Sequence, residues 1–130
     1  MLAALLHDIG KPDTHQVKDN ANHFYGHEKI GAKKTEEILK RLRFPKKDIQ
    51  LVKSFVNRHL YPLHLYWLYE RKNLTSHAIK RFRRKTRNFT LPLLLLSTAD
   101  QLAKHRGQDN TLSTVWNTFI NRLIDNPPFP

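Results

Sequence analysis

The stretch LAALLHDIGKP, residues 2–12, decides how the rest of the chain is read. It is apolar from its first position, stops at Gly10 and meets Pro12 just beyond, which is how a helix ends. No polar cap precedes it, so the chain reads as starting inside a helix. His7 and Asp8 stand side by side where the apolar run 2–6 gives out. A carboxylate and an imidazole are costly to bury unless they are paired or hold a cation. Taken alone, the pair is better read as a helix-terminal histidine beside a solvated aspartate.

Working outward, no apolar segment alternates with the period of two that marks a strand, and the expected class is all-α. Residues 27–43 carry Ile30, Thr35, Ile38, Leu39 and Leu42 on one side, with Lys33, Lys34, Glu36, Glu37 and Lys40 toward water. Pro45 suits the first turn of a third helix, in which Ile49, Val52, Val56 and His59 recur at spacings of three and four, so His59 falls on the buried stripe. Residues 61–69 read as a Tyr/Leu/Trp-rich connection. Thr75 or Ser76 can then cap a short helix around Ile79 and Phe82. Pro92 opens a further helix whose Leu93, Leu96, Asp100 and Ala103 share a face, which draws Asp100 inward. The last segment uses Leu112, Val115, Trp116, Phe119, Ile120 and Leu123. One helical domain over residues 1–126 is expected, with residues 127–130 a proline-rich exit.

The 130 residues hold 23 Lys and Arg against 11 Asp and Glu, a net charge of +12, so an anionic partner is the first expectation. With no cysteine, disulfides, thiolate zinc sites and cysteine nucleophiles are excluded together. The longest apolar runs, 2–6 and 91–96, are far short of the roughly 18 residues of a membrane span. No cleavable leader is visible, and a soluble, cytoplasmic protein is expected.

Inward-pointing polar residues join the His7–Asp8 pair. His59 ends one apolar stripe and Asp100 interrupts another, within LLLLSTADQLA at 93–103, while His27 opens the second helix. A core histidine bonded to a carbonyl and an aspartate paired with Arg or Lys are the plain alternatives. Together, His7, Asp8, His27, His59 and Asp100 form a nitrogen and oxygen donor set without sulfur, which suits divalent Mn, Fe, Ni, Zn or, less well, Mg. His23, four residues before His27, is a weaker substitute.

The stretches LAALLHDIGKP, HFYGHEKIGAKKTEEILKRLRFPKKDI, VKSFVNRHLYP and LLLLSTADQLA together resemble the HD superfamily of metal-dependent phosphohydrolases. They look most like the HD domain of bacterial tRNA nucleotidyltransferases and related poly(A) polymerases. The resemblance covers nearly the whole chain and implies an irregular helical bundle. By that likeness His7, Asp8 and Asp100 are metal ligands, His27 and His59 bind a second metal or the substrate phosphate, and Lys11 lies near the leaving phosphate. Catalysis is assigned to Asp8, Lys11, His27 and His59 on the same basis. Members of the family carry one more ligand histidine upstream of HDIGK, and the nucleotidyltransferases a catalytic head, so the chain is expected to be a middle piece of a larger enzyme, or a protein read from an internal Met, with an incomplete metal site.

The implied activity is hydrolysis of a phosphate monoester, a cyclic phosphodiester or a nucleotide. A non-catalytic module that grips tRNA or another RNA is the alternative, and a structural spacer is the third. For RNA the candidate contacts are Lys80, Arg81, Arg83, Arg84, Lys85 and Arg87, six cations in eight residues with Phe82 as inward anchor. Lys33, Lys34, Lys40, Arg41, Arg43, Lys46 and Lys47 are interleaved with acids and read as a solvated face. Tyr61, Tyr66, Trp67 and Tyr69 could stack bases, although packing against the core is the better reading.

Overall fold

The computed structural model describes residues 2–104 and 110–125, with the side chains of 110–113 outside that description. In chain order it contains α1 (Leu2–Leu6), α2 (Lys11–Thr14), β1 (Gln16–Lys18), β2 (Ala21–His23), α3 (His27–Arg41), α4 (Lys46–Arg58), α5 (Tyr61–Glu70), α6 (Ser76–Thr86), α7 (Thr90–Lys104) and α8 (Asn110–Asp125). The expected all-α bundle is what forms, apart from one small hairpin. The chain divides after Leu60 into two compact units, each described by itself.

In the first unit α3 and α4 pack against each other. Leu6, Ala32, Leu39, Ile49 and Val56 form the core, with Leu2, Ile9, Ile38, Phe44 and Val52 against it. The stripe on α3 is rotated from the one expected. His27, Gly31, Ala32, Thr35 and Leu39 are buried, whereas Ile30 and Leu42 are 39% and 58% exposed. Small residues face inward because the backbone of Gly10 lies directly on α3. A Cβ at Gly10 would meet the His27 carbonyl oxygen at 2.2 Å and the Gly31 nitrogen at 2.6 Å. The first helix ends at Leu6 and does not run on to Gly10, and the contact fixes the turn of residues 7–10 against the first turn of α3.

Glu36 on α3 bonds Lys53 on α4 and pairs with Lys40 at 2.7 Å. The Lys40 and then the Lys53 hydrogen bonds hold its carboxyl down at about 2. A depressed carboxyl contributes stability above its ordinary value of 4.5 and loses it as the pH falls toward 2. Glu36→Gln should therefore lower stability at neutral pH by a constant amount and flatten the acid limb, so that variant and wild type converge as the pH falls toward 2. Thermal melts across pH 2 to 5 check this, and an unaltered acid limb would contradict it.

The hairpin was not legible as a strand pattern, because most of its residues are exposed and nothing alternates. Its register pairs Gln16 with His23 and Lys18 with Ala21. The signal was the turn: Asp19 and Asn20 both take positive φ, 51° and 57°, as a two-residue hairpin loop with two left-handed positions requires.

In the second unit the supposed connection at 61–69 is helix α5. Its apolar residues surround the helix: Leu65 and Tyr66 are buried, while Trp67 and Leu68 are exposed. No stripe was there to find. Tyr66, Trp116 and Phe119 meet as an aromatic core, with Tyr66 and Trp116 centroids 4.9 Å apart. Tyr69 packs on Phe119 at 5.5 Å. Thr75 caps α6, its hydroxyl accepting from the Ala78 amide, and Ile79 and Phe82 are buried as expected. On α8, Trp116, Phe119 and Leu123 are buried but Val115 is 42% exposed. Leu112 and the exit at 127–130 lie outside the described residues. Among the described residues no helix is long and apolar enough to cross a membrane.

Candidate functional site

The turn after α1 and the start of α3 bring His7, Asp8, Lys11 and His27 together, and His59 joins them from the end of α4. His27 Nε2 lies 3.1 Å from His59 Nε2. Asp8 Oδ1 is 3.4 Å from the first of these nitrogens and 3.7 Å from the second. His7 Nε2 is 3.4 Å from the other Asp8 oxygen, and the His7 ring stands edge-on to His59 at 5.2 Å. Lys11 Nζ donates to Asp8 Oδ2 at 2.5 Å and sits 5.7 Å above the Phe24 ring. His27 and His59 are buried, 6% and 7% exposed, with Asp8 at the mouth.

Each of the three imidazoles is turned the same way. His7 Nδ1 contacts the Ala4 carbonyl, His27 Nδ1 that of Phe24 and His59 Nδ1 that of Val56, at 2.7, 2.8 and 2.7 Å. In every case the carbonyl belongs to the residue three positions earlier. A carbonyl only accepts, so each Nδ1 carries the proton and each neutral ring presents the Nε2 lone pair. Two lone pairs facing each other at 3.1 Å repel unless a proton or a cation lies between them. A proton on His59 is disfavoured, since burial above all, with His7 and His27 beside it, pushes the ring down to about 4 against the pull of Val56 and Asp8. Burial alone would raise the Asp8 carboxyl, but the hydrogen bond and charge of the Lys11 ammonium hold it below its ordinary value.

These atoms fit a divalent cation. Donors sharing a first-row ion at ~2.1 Å stand ~3.0 to 3.4 Å apart; two edges of this triangle, 3.1 and 3.4 Å, fall within that range, and the third, 3.7 Å, lies a few tenths of an ångström above it. Among the described residues Asp8, His27 and His59 are the group whose donor atoms all lie within 4.8 Å of one another. The Nδ1 bonds to carbonyls are the outer support that metal-binding histidines ordinarily have. Phe24, which orients His27 and lies under Lys11, was not singled out from the sequence; only the Nδ1 geometry identifies it.

Asp100 stands in the second unit, on α7. Instead of being drawn inward it is 30% exposed and pairs with Lys104 at 2.5 Å. Burial on α7 is carried by Leu93, Leu94 and Ser97 and fades over the last turns, where an aspartate can reach the lysine one turn on. His23 stacks on Tyr25, 5.1 Å between centroids, and is not in the donor group.

On α6 and just after it, Lys80, Arg81, Arg84, Lys85 and Arg87 are exposed. Arg83 departs from the expected solvent face. Its Nε donates to the Leu123 carbonyl at 2.8 Å and a terminal nitrogen to that of Ile124 at 2.5 Å, so it closes the C-terminal end of α8. Of the aromatic group, Tyr66 is buried in the core and Trp67 is 49% exposed.

A family model described as "HD domain" matches residues 1–104. The chain is 36% identical over 131 residues to a CC-adding tRNA nucleotidyltransferase of Thermus thermophilus, across 99% of the chain and 27% of that protein. It is 32% identical over 103 residues to an A-adding tRNA nucleotidyltransferase of Deinococcus radiodurans, across 78% of the chain and 22% of that protein. The chain thus spans about a quarter of the length of these curated relatives.

Proposed function

The chain belongs to the HD domain family, and from that premise we propose that its first unit is a metal-dependent phosphohydrolase centre, part of or derived from a tRNA nucleotidyltransferase. The observation that carries the reading is the convergence of two Nε2 lone pairs, each fixed by its Nδ1 bond, on one carboxylate. Asp8, His27 and His59 would hold the cation, which is Mn, Fe, Ni, Zn or Mg by the chemistry of the donors. When bound, the ion supplies a more acidic water and neutralises charge on the phosphoryl oxygens. His7, beside Asp8 and His59, accepts or returns a proton through Nε2. The substrate is a phosphate monoester, a cyclic phosphodiester or a nucleotide.

Lys11 holds one Asp8 oxygen and leaves ammonium protons for a phosphate oxygen. Lys11→Ala is therefore expected to keep metal affinity within a few-fold while lowering turnover of p-nitrophenyl phosphate or 2′,3′-cyclic AMP at least ~100-fold, in the range of a lost transition-state contact. Metal titration and steady-state rates on the same preparations test the separation. Parallel loss of both would make Lys11 a structural partner of Asp8 only.

A second reading, supported by the exposed cations around α6 and by the names of the relatives, is that the second unit grips RNA phosphates. Reversing Arg81 and Arg84 to glutamate should weaken tRNA binding and flatten its dependence on log salt by about one unit per lost contact. Arg83→Ala should instead lower the melting temperature, since two α8 carbonyls lose their donor. Filter binding at several salt concentrations, with melts alongside, separates these effects. An unchanged slope for the double reversal would make the basic run a solvated face.

A further inference from the structure

We propose that the second unit carries a binding site for a single nucleotide unit, in a cleft between the end of α5 and the outer face of α8. The cleft has a volume of about 560 Å³ and is lined by Tyr69, Glu70, Lys72, Leu74, Val115 and Arg122. That size is in the range of small-molecule sites, which run from ~300 to 1,000 Å³. The walls divide by chemistry. Tyr69, Leu74 and Val115 give an apolar side, and Tyr69 is backed by Phe119 at 5.5 Å, so the ring is a firm surface for stacking. Lys72 and Arg122 give two cations for a phosphate. Glu70 gives one acceptor, which matches the amino edge of a base and would repel a purely anionic ligand.

The backbone at Lys72 fixes where its side chain leaves the end of α5. At the end of α5 the Asn73 amide donates to the Leu68 carbonyl at 2.8 Å and the Lys72 amide to that of Tyr69 at 3.0 Å. This closing turn places Lys72 at φ 58°, the left-handed position that glycine ordinarily fills. Arg43 closes α3 in the same way at φ 59°, so the conformation is that of a helix-ending turn, and a lysine in it bears a cost that glycine would not. Here the side chain lines the cleft. An acidic peptide would use the two cations but not the aromatic wall or the carboxylate, so the nucleotide fits better.

Titration of the full chain with AMP, ribose 5-phosphate and a short oligoadenylate, followed by NMR, tests the proposal. AMP should bind at least about fivefold more tightly than ribose 5-phosphate, the lower end of what one base–aromatic stack supplies. Oligoadenylate binding more tightly than AMP would identify the source as a nucleotide within a strand, and the reverse order would identify a free nucleotide. Lys72→Gly should weaken AMP binding at least about fivefold while leaving the melting temperature equal or higher, because glycine accepts the left-handed position without strain. A merely structural lysine would not give that combination. Arg122→Gln should weaken AMP binding similarly without unfolding. Equal binding of AMP and ribose 5-phosphate, unchanged AMP affinity in Lys72→Gly, or no binding of any probe would overturn the site.

Discussion

Gly10→Ala is expected to destabilise the first unit by more than ~3 kcal/mol, beyond the usual range for an overpacked core position. The new Cβ would fall 2.2 Å from the His27 carbonyl oxygen and 2.6 Å from the Gly31 nitrogen, and both are backbone atoms of α3 that no rotamer change can move. Relief requires the first helix and α3 to separate, and with them Asp8 and His27. Against a total stability of ~5 to 15 kcal/mol, that loss is large. Gly26→Ala is the control. Nothing lies within 4 Å of a Cβ there, and only the positive φ of 76° opposes it, so it should cost about 1 to 2 kcal/mol. Chemical denaturation of the two variants compares them directly. A Gly10→Ala protein as stable as wild type would mean that the backbones of Gly10 and Gly31 do not touch.

Asp8→Ala is expected to abolish divalent cation binding. Asp8 supplies the carboxylate of the donor group, and its removal leaves neutral imidazoles facing one another beside the Lys11 ammonium. A ligand bound only to the native state at one hundred times its dissociation constant stabilises by ~2.7 kcal/mol. Wild type should show a rise of that order with Mn²⁺ or Ni²⁺, and Asp8→Ala should show none. Thermal melts with and without the ion measure it. Equal stabilisation of both proteins would mean that the ion binds elsewhere.

Much of the fold could be read where burial is one-sided and punctuated. Pro45 opens α4 and Thr75 caps α6 as their sequence suggests, and Ile79 with Phe82 marks the buried face of α6. The reading failed where the pattern carried no direction. α5 is apolar on all sides, and the hairpin is exposed on both faces. On α3 the apolar residues misled, because the close approach of Gly10 reserves the inner face for Gly31 and Ala32. For the candidate site, His7, Asp8, Lys11, His27 and His59 stood out in the sequence, and the structure gathers all five in the first unit. What no sequence displays is ring orientation. The three Nδ1 bonds depend on side-chain rotamers, and only they show that the Nε2 atoms face Asp8. Arg83 was misread for a related reason: charge density suggests solvent, but the carbonyl ends of α8, forty residues on in sequence, are the partners.

In the proposed centre Asp8, His27 and His59 hold a divalent cation through Nε2 of both histidines. Nitrogen-15 NMR of the imidazole rings during titration with Zn²⁺ tests it most directly. The Nε2 resonances of His27 and His59 should move together to metal-bound positions at near-stoichiometric zinc, while their Nδ1 atoms stay protonated against the Phe24 and Val56 carbonyls. Zinc that instead shifts His15, His23, His64 or His77 and leaves His27 and His59 unchanged would contradict it.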